Sequence, residues 1–557
     1  MNSPAFRDRL RYAFDNSMAK GPIALIGWLA VGSVIIIGMM AAIVSLLQIP
    51  VNEGEPVGFI EAFWLSLMRT FDAGTMGGDT GWGFRLTMLA VTLGGIFVIS
   101  TLIGVLTSSV EDKVENLRKG RSKVLENSHT VILGWSEQVF TIVSELVIAN
   151  ENQRKPSIVI LGDKDKVEME DELHERVESF KNTRLVCRTG QPVEMSDLAI
   201  VSLHTAKSII ILSPDNDDPD SHVIKTLLAI TNAPNRRAEP YHIVAEIRNP
   251  DNLEVAKLVG RDEVELVLVG DLIARVTAQT CRQSGLSVVY TELLDFGGDE
   301  IYFTEEPTLV GKTFGDALLA YDDSAVLGLH AKNGTPQLNP PMDTRLNPGD
   351  RLIVIAEDDD KIRVSGRTDF AINTTAIRSQ PIVPAAPERT LILGWNWRAP
   401  AIIRELDNYV APGSTLTVMA DEALGPDEAD RVQTELKNQI VTYQAGATTD
   451  RRLLESLNIA QYQHVILLCY AGLDPQAADA RTLITLLHLR EIGERSGHAF
   501  SIVSEMLDIR NRNLAEVTRA DDFIDSDKLV SLMLAQISEN KALGPVFADI
   551  FDPQNVG

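Results

Sequence analysis

The 557-residue chain has only three cysteines, Cys187, Cys281 and Cys469, all far apart. They cannot build a disulfide framework or a cysteine-rich zinc site, which fits a reducing compartment. Basic residues are outnumbered. Fifty-one Lys and Arg face 77 Asp and Glu, leaving a net charge of −26. That balance argues against a nucleic-acid partner, because phosphate contacts need clustered Lys and Arg. The nine histidines form no His-Glu-x-x-His, and Gly-x-Ser-x-Gly is missing too. An enzyme is therefore not expected.

Charge is also locally absent. None occurs between Lys20 and Glu53, and Ile23 to Leu47 is a nearly continuous apolar run. A second uncharged run extends from Leu86 to Val110. Each is long enough to cross a hydrocarbon core of ~30 Å at ~1.5 Å per residue. Four basic residues precede the first run: Arg7, Arg9, Arg11 and Lys20. Five follow the second: Lys113, Arg118, Lys119, Arg121 and Lys123. Only Arg69 and Arg85 lie between the runs. Both termini are thus expected in the cytoplasm and loop 48–85 outside. The opening segment, residues 1–22, mixes aromatic and basic side chains between Phe6 and Phe14. It suits either an anionic lipid surface or a solvated helix.

The loop between the runs is informative. Residues 59–71, Phe-Ile-Glu-Ala-Phe-Trp-Leu-Ser-Leu-Met-Arg-Thr-Phe, suit a helix too short to span. Asp72-Ala73-Gly74-Thr75-Met76-Gly77-Gly78-Asp79 follows. A short apolar helix, a Gly-rich turn and a second span make the layout of a re-entrant pore loop. Gly74, Gly77 and Gly78 permit positive φ, which can turn carbonyls toward an axis. Asp72, Ala73, Gly74 and Thr75 are the expected filter residues. In a symmetric oligomer Asp72 forms a carboxylate ring that attracts cations. The potassium-filter signature Thr-Val-Gly-Tyr-Gly is absent. Gly94 and Gly95 in the second span permit either close packing or a hinge.

Residues 1–110 hold six basic and seven acidic side chains, so the remaining −25 lies in 111–557. That part contains a repeat. His129-Thr-Val-Ile-Leu-Gly-Trp135 matches Arg389-Thr-Leu-Ile-Leu-Gly-Trp395. Val289-Tyr-Thr-Glu-Leu-Leu-Asp295 matches Val546-Phe-Ala-Asp-Ile-Phe-Asp552 at nearly the same offset. Two copies of one domain are implied. Strands are expected at 130–134, 157–162, 208–212 and 242–246, and again at 390–394, 415–419, 464–468 and 501–505. Their unbroken Val, Ile and Leu runs suit parallel strands buried on both faces, hence Rossmann-like units.

The dinucleotide fingerprint is broken in both copies. Gly134-Trp-Ser-Glu-Gln-Val139 and Gly394-Trp-Asn-Trp-Arg-Ala399 lack the second glycine, where a pyrophosphate needs close approach. No bound dinucleotide is expected. Residues 297–375 form a different unit containing Gly311-Lys-Thr-Phe-Gly315 and the turn Asn347-Pro-Gly-Asp350. A proline-rich linker, 376–388, leads to the second copy, which has no equivalent of 297–375.

A pore loop between two spans, followed by paired Rossmann-like units, resembles cation channels with RCK domains (regulators of potassium conductance). Gly311-Lys-Thr-Phe-Gly315 and Asn347-Pro-Gly-Asp350 look like the C-terminal lobe of that domain. Asp72-Ala-Gly, the paired Leu-Gly-Trp strand ends and Gly27-Trp28 resemble the Castor/Pollux ion-channel family. The resemblance implies a homotetramer whose eight RCK domains form a cytoplasmic gating ring. It also implies permeation by potassium or calcium and regulation by calcium. The plant members have additional spans, so a plasma or bacterial inner membrane is expected here instead of a nuclear envelope.

The expected organisation is a two-span α-helical pore domain at 23–110, a linker at 111–128, and α/β Rossmann-like units at 129–296 and 389–557. A small α+β lobe, 297–375, follows the first unit. Calcium prefers six to eight oxygen ligands, often carboxylates. Candidate ligands are Asp163, Asp165 and Glu168, then Asp215, Asp217, Asp218 and Asp220, then Glu246. Most follow strand ends, where such folds place ligands. A membrane-anchored NAD-binding regulatory subunit or oxidoreductase is the competing reading.

Overall fold

The computed structural model describes residues 22–51, 55–118, 120–214, 216, 218–332, 334–367, 370–378, 385–421, 426–470, 472–497, 500–508, 511, 514 and 522–552. The amphipathic segment up to residue 21, Asp215 and Asp217 lie outside them. The chain forms two units, residues 1–119 and 120–557.

The first unit contains α1 (Pro22–Leu46), α2 (Phe59–Phe71) and α3 (Trp82–Arg118). A 3-10 turn, Ala73–Gly78, follows α2. Ala24–Leu46 and Trp82–Glu111 are long and apolar enough to cross a bilayer. Val34, Ile35 and Met39 on α1, and Leu93, Phe97 and Ile103 on α3, are exposed. An uninterrupted apolar surface of this size requires lipid or a neighbouring chain. The three helices meet in a small core of Ala41, Val44, Ala62, Phe84, Met88 and Val91. Gly95 admits the end of α2. A Cβ there would lie 2.7 Å from both the Cα and the carbonyl oxygen of Thr70. At Gly94 the nearest atom, on Ile36, is 3.9 Å from that position.

The second unit is built from two six-stranded parallel sheets. The first comprises β1 (Thr130–Leu133), β2 (Ser157–Gly162), β3 (Arg184–Thr189), β4 (Ser208–Ile211), β5 (Ile243–Ile247) and β6 (Val264–Leu268). Its order is β3-β2-β1-β4-β5-β6. Between the sheets, β7 (Glu300–Thr304), β8 (Ala325–His330), β9 (Pro336–Leu338) and β10 (Arg351–Ala356) form an antiparallel lobe in the order β7-β10-β8-β9. The other parallel sheet comprises β11 (Arg389–Leu393), β12 (Ser414–Ala420), β13 (Gln439–Ala445), β14 (His464–Leu467), β15 (Ser501–Met506) and β16 (Asp522–Asp525). Its order, β13-β12-β11-β14-β15-β16, repeats the first. Central strands β1, β2 and β4 are buried along their whole length. Burial on both faces explains their unbroken aliphatic runs.

The copies exchange helices. In the first, α4 (Gln138–Ala149) follows β1, α5 (Lys166–Arg176) follows β2 and α6 (Pro219–Thr231) follows β4. Then α7 (Val269–Arg282) and α8 (Leu286–Leu294) follow β6. In the second, α9 (Ala399–Asp407) follows β11 and α10 (Pro475–Ser496) follows β14, while α11 (Ser526–Glu539) and α12 (Leu543–Ile550) follow β16. Helix α7 packs on α9, and α11 packs on α4. Each copy thereby covers the first helix of the other, and one hydrophobic core runs through both. Gln536 donates to the Leu294 carbonyl at 3.2 Å, and Asp522 accepts from the Gly285 N–H at 2.7 Å.

Candidate functional site

The loop after α2 is organised by three charged residues. Helix α2 ends where Asp72 becomes extended, with its N–H still bonded to the Met68 carbonyl. One Asp72 carboxylate oxygen accepts the Gly74 N–H at 2.8 Å. Its carbonyl accepts the Thr75 hydroxyl at 2.8 Å. These bonds wind Ala73–Gly78 into a 3-10 turn. Gly74, Gly77 and Gly78 therefore do not use positive φ; that conformation falls at Gly81, at +81°. A Cβ at Gly74 would sit 3.0 Å from an Asp72 carboxylate oxygen, so the carboxylate would have to give way slightly. Asp72 itself is exposed.

Sequence reasoning missed the other two. Arg69, in the last turn of α2, and Asp79, just beyond the 3-10 turn, are both buried. Arg69 donates from Nε to Asp79 Oδ2 at 3.1 Å and from Nη2 to Oδ1. Its Nη1 donates to the Leu65 carbonyl at 3.1 Å. The signal was available: a cation inside an apolar 13-residue segment requires a partner.

In the second unit, the candidate acids are not gathered together. Asp163 is exposed and accepts from Gln191 at 3.3 Å. Asp165 caps α5, accepting the Val167 N–H at 2.8 Å, and Glu168 lies in that first turn. Asp218 caps α6, accepting the Ser221 N–H at 3.4 Å. Asp220 is buried, and its two oxygens accept from the N–H groups of Arg248 and Asn249 at 2.8 and 2.9 Å. The Asn252 amide adds a third bond at 2.9 Å. Asp479 repeats the arrangement in the second copy, accepting from the N–H groups of Leu507 and Asp508. Among the described residues, no three His, Cys, Asp or Glu side chains gather to hold a metal ion.

Glu246 lies at the carboxyl end of β5, beside the end of β4. It accepts the Ser213 N–H at 2.7 Å and the Gln138 amide at 3.0 Å. Burial pushes its carboxyl above the usual range. Its counterpart Glu505 is better supplied. Asn396 and Arg398 each donate to it at 2.7 Å, and Ser526 donates at 2.9 Å. Asn396 occupies the position of the fingerprint's second glycine, so its side chain is spent on the sheet's own carboxylate. The three cysteines are free and buried. Burial pushes the Cys187 and Cys281 thiols up to about 12.

Residues 124–249 match a family model described as the calcium-activated potassium channel slowpoke-like RCK domain. Residues 270–371 match one described as Castor and Pollux, part of voltage-gated ion channel. The probable ion channel POLLUX of Arabidopsis thaliana is 30% identical, over 98% of this chain and 69% of that relative. The chain belongs to the Castor and Pollux family of ion channels. The probable ion channel CASTOR of Oryza sativa subsp. japonica is 31% identical over 98% of this chain and 64% of that relative. The ion channel CASTOR of Lotus japonicus is 31% identical over 88% and 61%. The chain thus spans a little under two thirds of the length of these two Castor relatives. The human SLO3 gating ring shares the fold, with a TM-score of 0.52 at 14% identity, over 77% of this chain and 84% of that one. The parallel sheets are Rossmann-like RCK domains, and the Castor/Pollux chain is a membrane protein.

Proposed function

We propose that the chain is a ligand-gated cation channel. In this reading four copies surround a pore lined by Asp72, Ala73, Gly74 and Thr75. Their eight RCK domains form a cytoplasmic gating ring, and potassium, calcium or both permeate. The observation that carries it is the loop at 72–79. It lies between two helices of membrane-spanning length, and its exposed carboxylate is held by the loop's own backbone. Four such carboxylates around an axis attract cations and repel anions. Both termini lie in the cytoplasm of a plasma or inner membrane.

Gating follows linkage. A ligand that binds an expanded ring more tightly than a closed one shifts the ring toward expansion. Segment 111–128, whose first part continues α3 to Arg118, carries that change to the membrane part of the helix, with Gly94 as the point of bending. Calcium is the first ligand to test, because the slowpoke-like family description names calcium activation. The acids at 163, 165, 168, 215, 217, 218, 220 and 246 remain the proposed positions for its effect. Of the described ones, Asp163 and Glu168 are exposed and cap no helix.

Single-channel recording of the purified full chain in planar bilayers tests this. Potassium and calcium gradients are applied, with and without calcium on the ring side. The expected result is cation-selective current whose open probability changes with calcium. Absence of current in every gradient would overturn the channel reading. Current indifferent to calcium would remove calcium alone.

A further inference from the structure

We infer that the buried Arg69–Asp79 ion pair braces the turn at Asp72–Gly78 and so acts as a positioning pair for ion selectivity. This rests on the channel reading. The two residues are ten apart and bracket the turn. Arg69 is the last buried side chain of α2, and Asp79 is the first residue after the 3-10 turn. Their two parallel bonds join the entrance of the turn to its exit. Each partner is held a second time. The Arg69 guanidinium bonds back to the Leu65 carbonyl in α2 and lies 5.1 Å over the Phe84 ring of α3. The Asp79 carbonyl accepts from Arg85 Nε at 2.7 Å, at the start of α3. One fixed fork thus ties α2, the turn and α3 together.

Stability alone does not explain the pair. A buried ion pair is often no more stabilising than apolar residues of equal volume, because desolvation offsets the attraction. What a planar guanidinium fork adds is direction. It fixes the distance across the turn, and with it the position of Asp72. Pairing also neutralises Arg69, three residues before Asp72. Without Asp79, a bare cation would stand beside the proposed carboxylate ring.

The test uses the full chain with three variants recorded against wild type: Asp79→Asn, Arg69→Gln/Asp79→Asn and Asp72→Asn. Oligomeric mass in detergent is measured for each. Two readouts are taken, the cation-over-chloride preference in a potassium chloride gradient and the potassium-to-calcium permeability ratio. Asp79→Asn should move the reversal potential toward zero and change the permeability ratio. The double variant removes both charges. It should recover the cation preference while its permeability ratio stays altered, because the fork is lost. If Asp79→Asn does not assemble, the double variant decides by its permeability ratio. Wild-type values for both readouts in the assembled variants would overturn the proposal, as would failure of both to assemble. A silent wild-type protein would instead overturn the channel reading itself.

Discussion

Arg398 and Glu505 form a buried ion pair at 2.7 Å in the second Rossmann-like unit, whereas Glu246 of the first accepts from the neutral Gln138 amide and the Ser213 N–H. The two crevices share a fold but not an electrostatic design. Arg398→Met strands a buried carboxylate and should cost about 3–5 kcal/mol of stability. Glu246→Gln breaks no such ion pair and keeps an acceptor for the Ser213 N–H, so it should cost only about 1 kcal/mol. Thermal melts of the full chain in detergent compare them directly. Equal losses would mean that the Arg398 pair adds nothing beyond its hydrogen bonds.

Stability should also depend on pH through Glu145. Burial pushes this carboxyl from its ordinary value of 4.5 up to about 7, against the opposing effect of the Phe296 N–H. The folded chain therefore holds a proton that the unfolded chain releases. The contribution is fully present below 4.5 and is lost as pH rises through about 7. Between these values one such group gives a slope of at most ~1.4 kcal/mol per pH unit. Glu300 and Asp525, also raised to about 7, act in the same direction. Glu145→Gln should flatten the fall in melting temperature measured across that window.

The two adjacent glycines of α3 should respond oppositely. Gly95→Ala drives a methyl into the Thr70 backbone and should cost about 1–3 kcal/mol. Gly94→Ala has room and improves helix propensity, with an expected gain of about 0.5–1 kcal/mol. Oligomer yield and melting temperature read the first effect. Open probability reads the second, because a stiffer Gly94 opposes bending. Identical behaviour of the two variants would remove both assignments.

Asp72→Asn should lower unit conductance for cations and weaken block by divalent ions. Its Oδ1 bond to the Gly74 N–H is retained by the Asn carbonyl, so assembly should be unchanged. An unaltered current–voltage relation with unaltered block would take Asp72 out of the pore.

The legible parts of this fold were those where both faces of an element are buried. Strands β1, β2, β4 and β5, with their counterparts, stand out as aliphatic runs. Strands β3, β6, β13 and β16 are the edges of their sheets. Their polar residues break the pattern, half-exposed in Arg184-Leu-Val-Cys-Arg-Thr189 and mostly buried in Asp522-Phe-Ile-Asp525. The repeat made the duplicated sheet visible, but not the exchange of helices between copies. Within the loops, acidic residues were conspicuous while their partners were not. Asp220 looks like a ligand until the N–H groups of residues 248 and 249 arrive from the end of another strand. Arg69 looked like a stray charge because its partner lies beyond the turn.

The exchange of helices also sets a timetable. Helix α4 is complete early in synthesis, yet its cover, α11, begins at Ser526, roughly 380 residues after α4 ends. At about 5–20 residues per second, its apolar face waits on the order of 20–80 s for cover. During that interval the nascent first domain is a sticky half-structure. The first Rossmann-like domain therefore gains its full cover only after Ser526–Glu539 has been made.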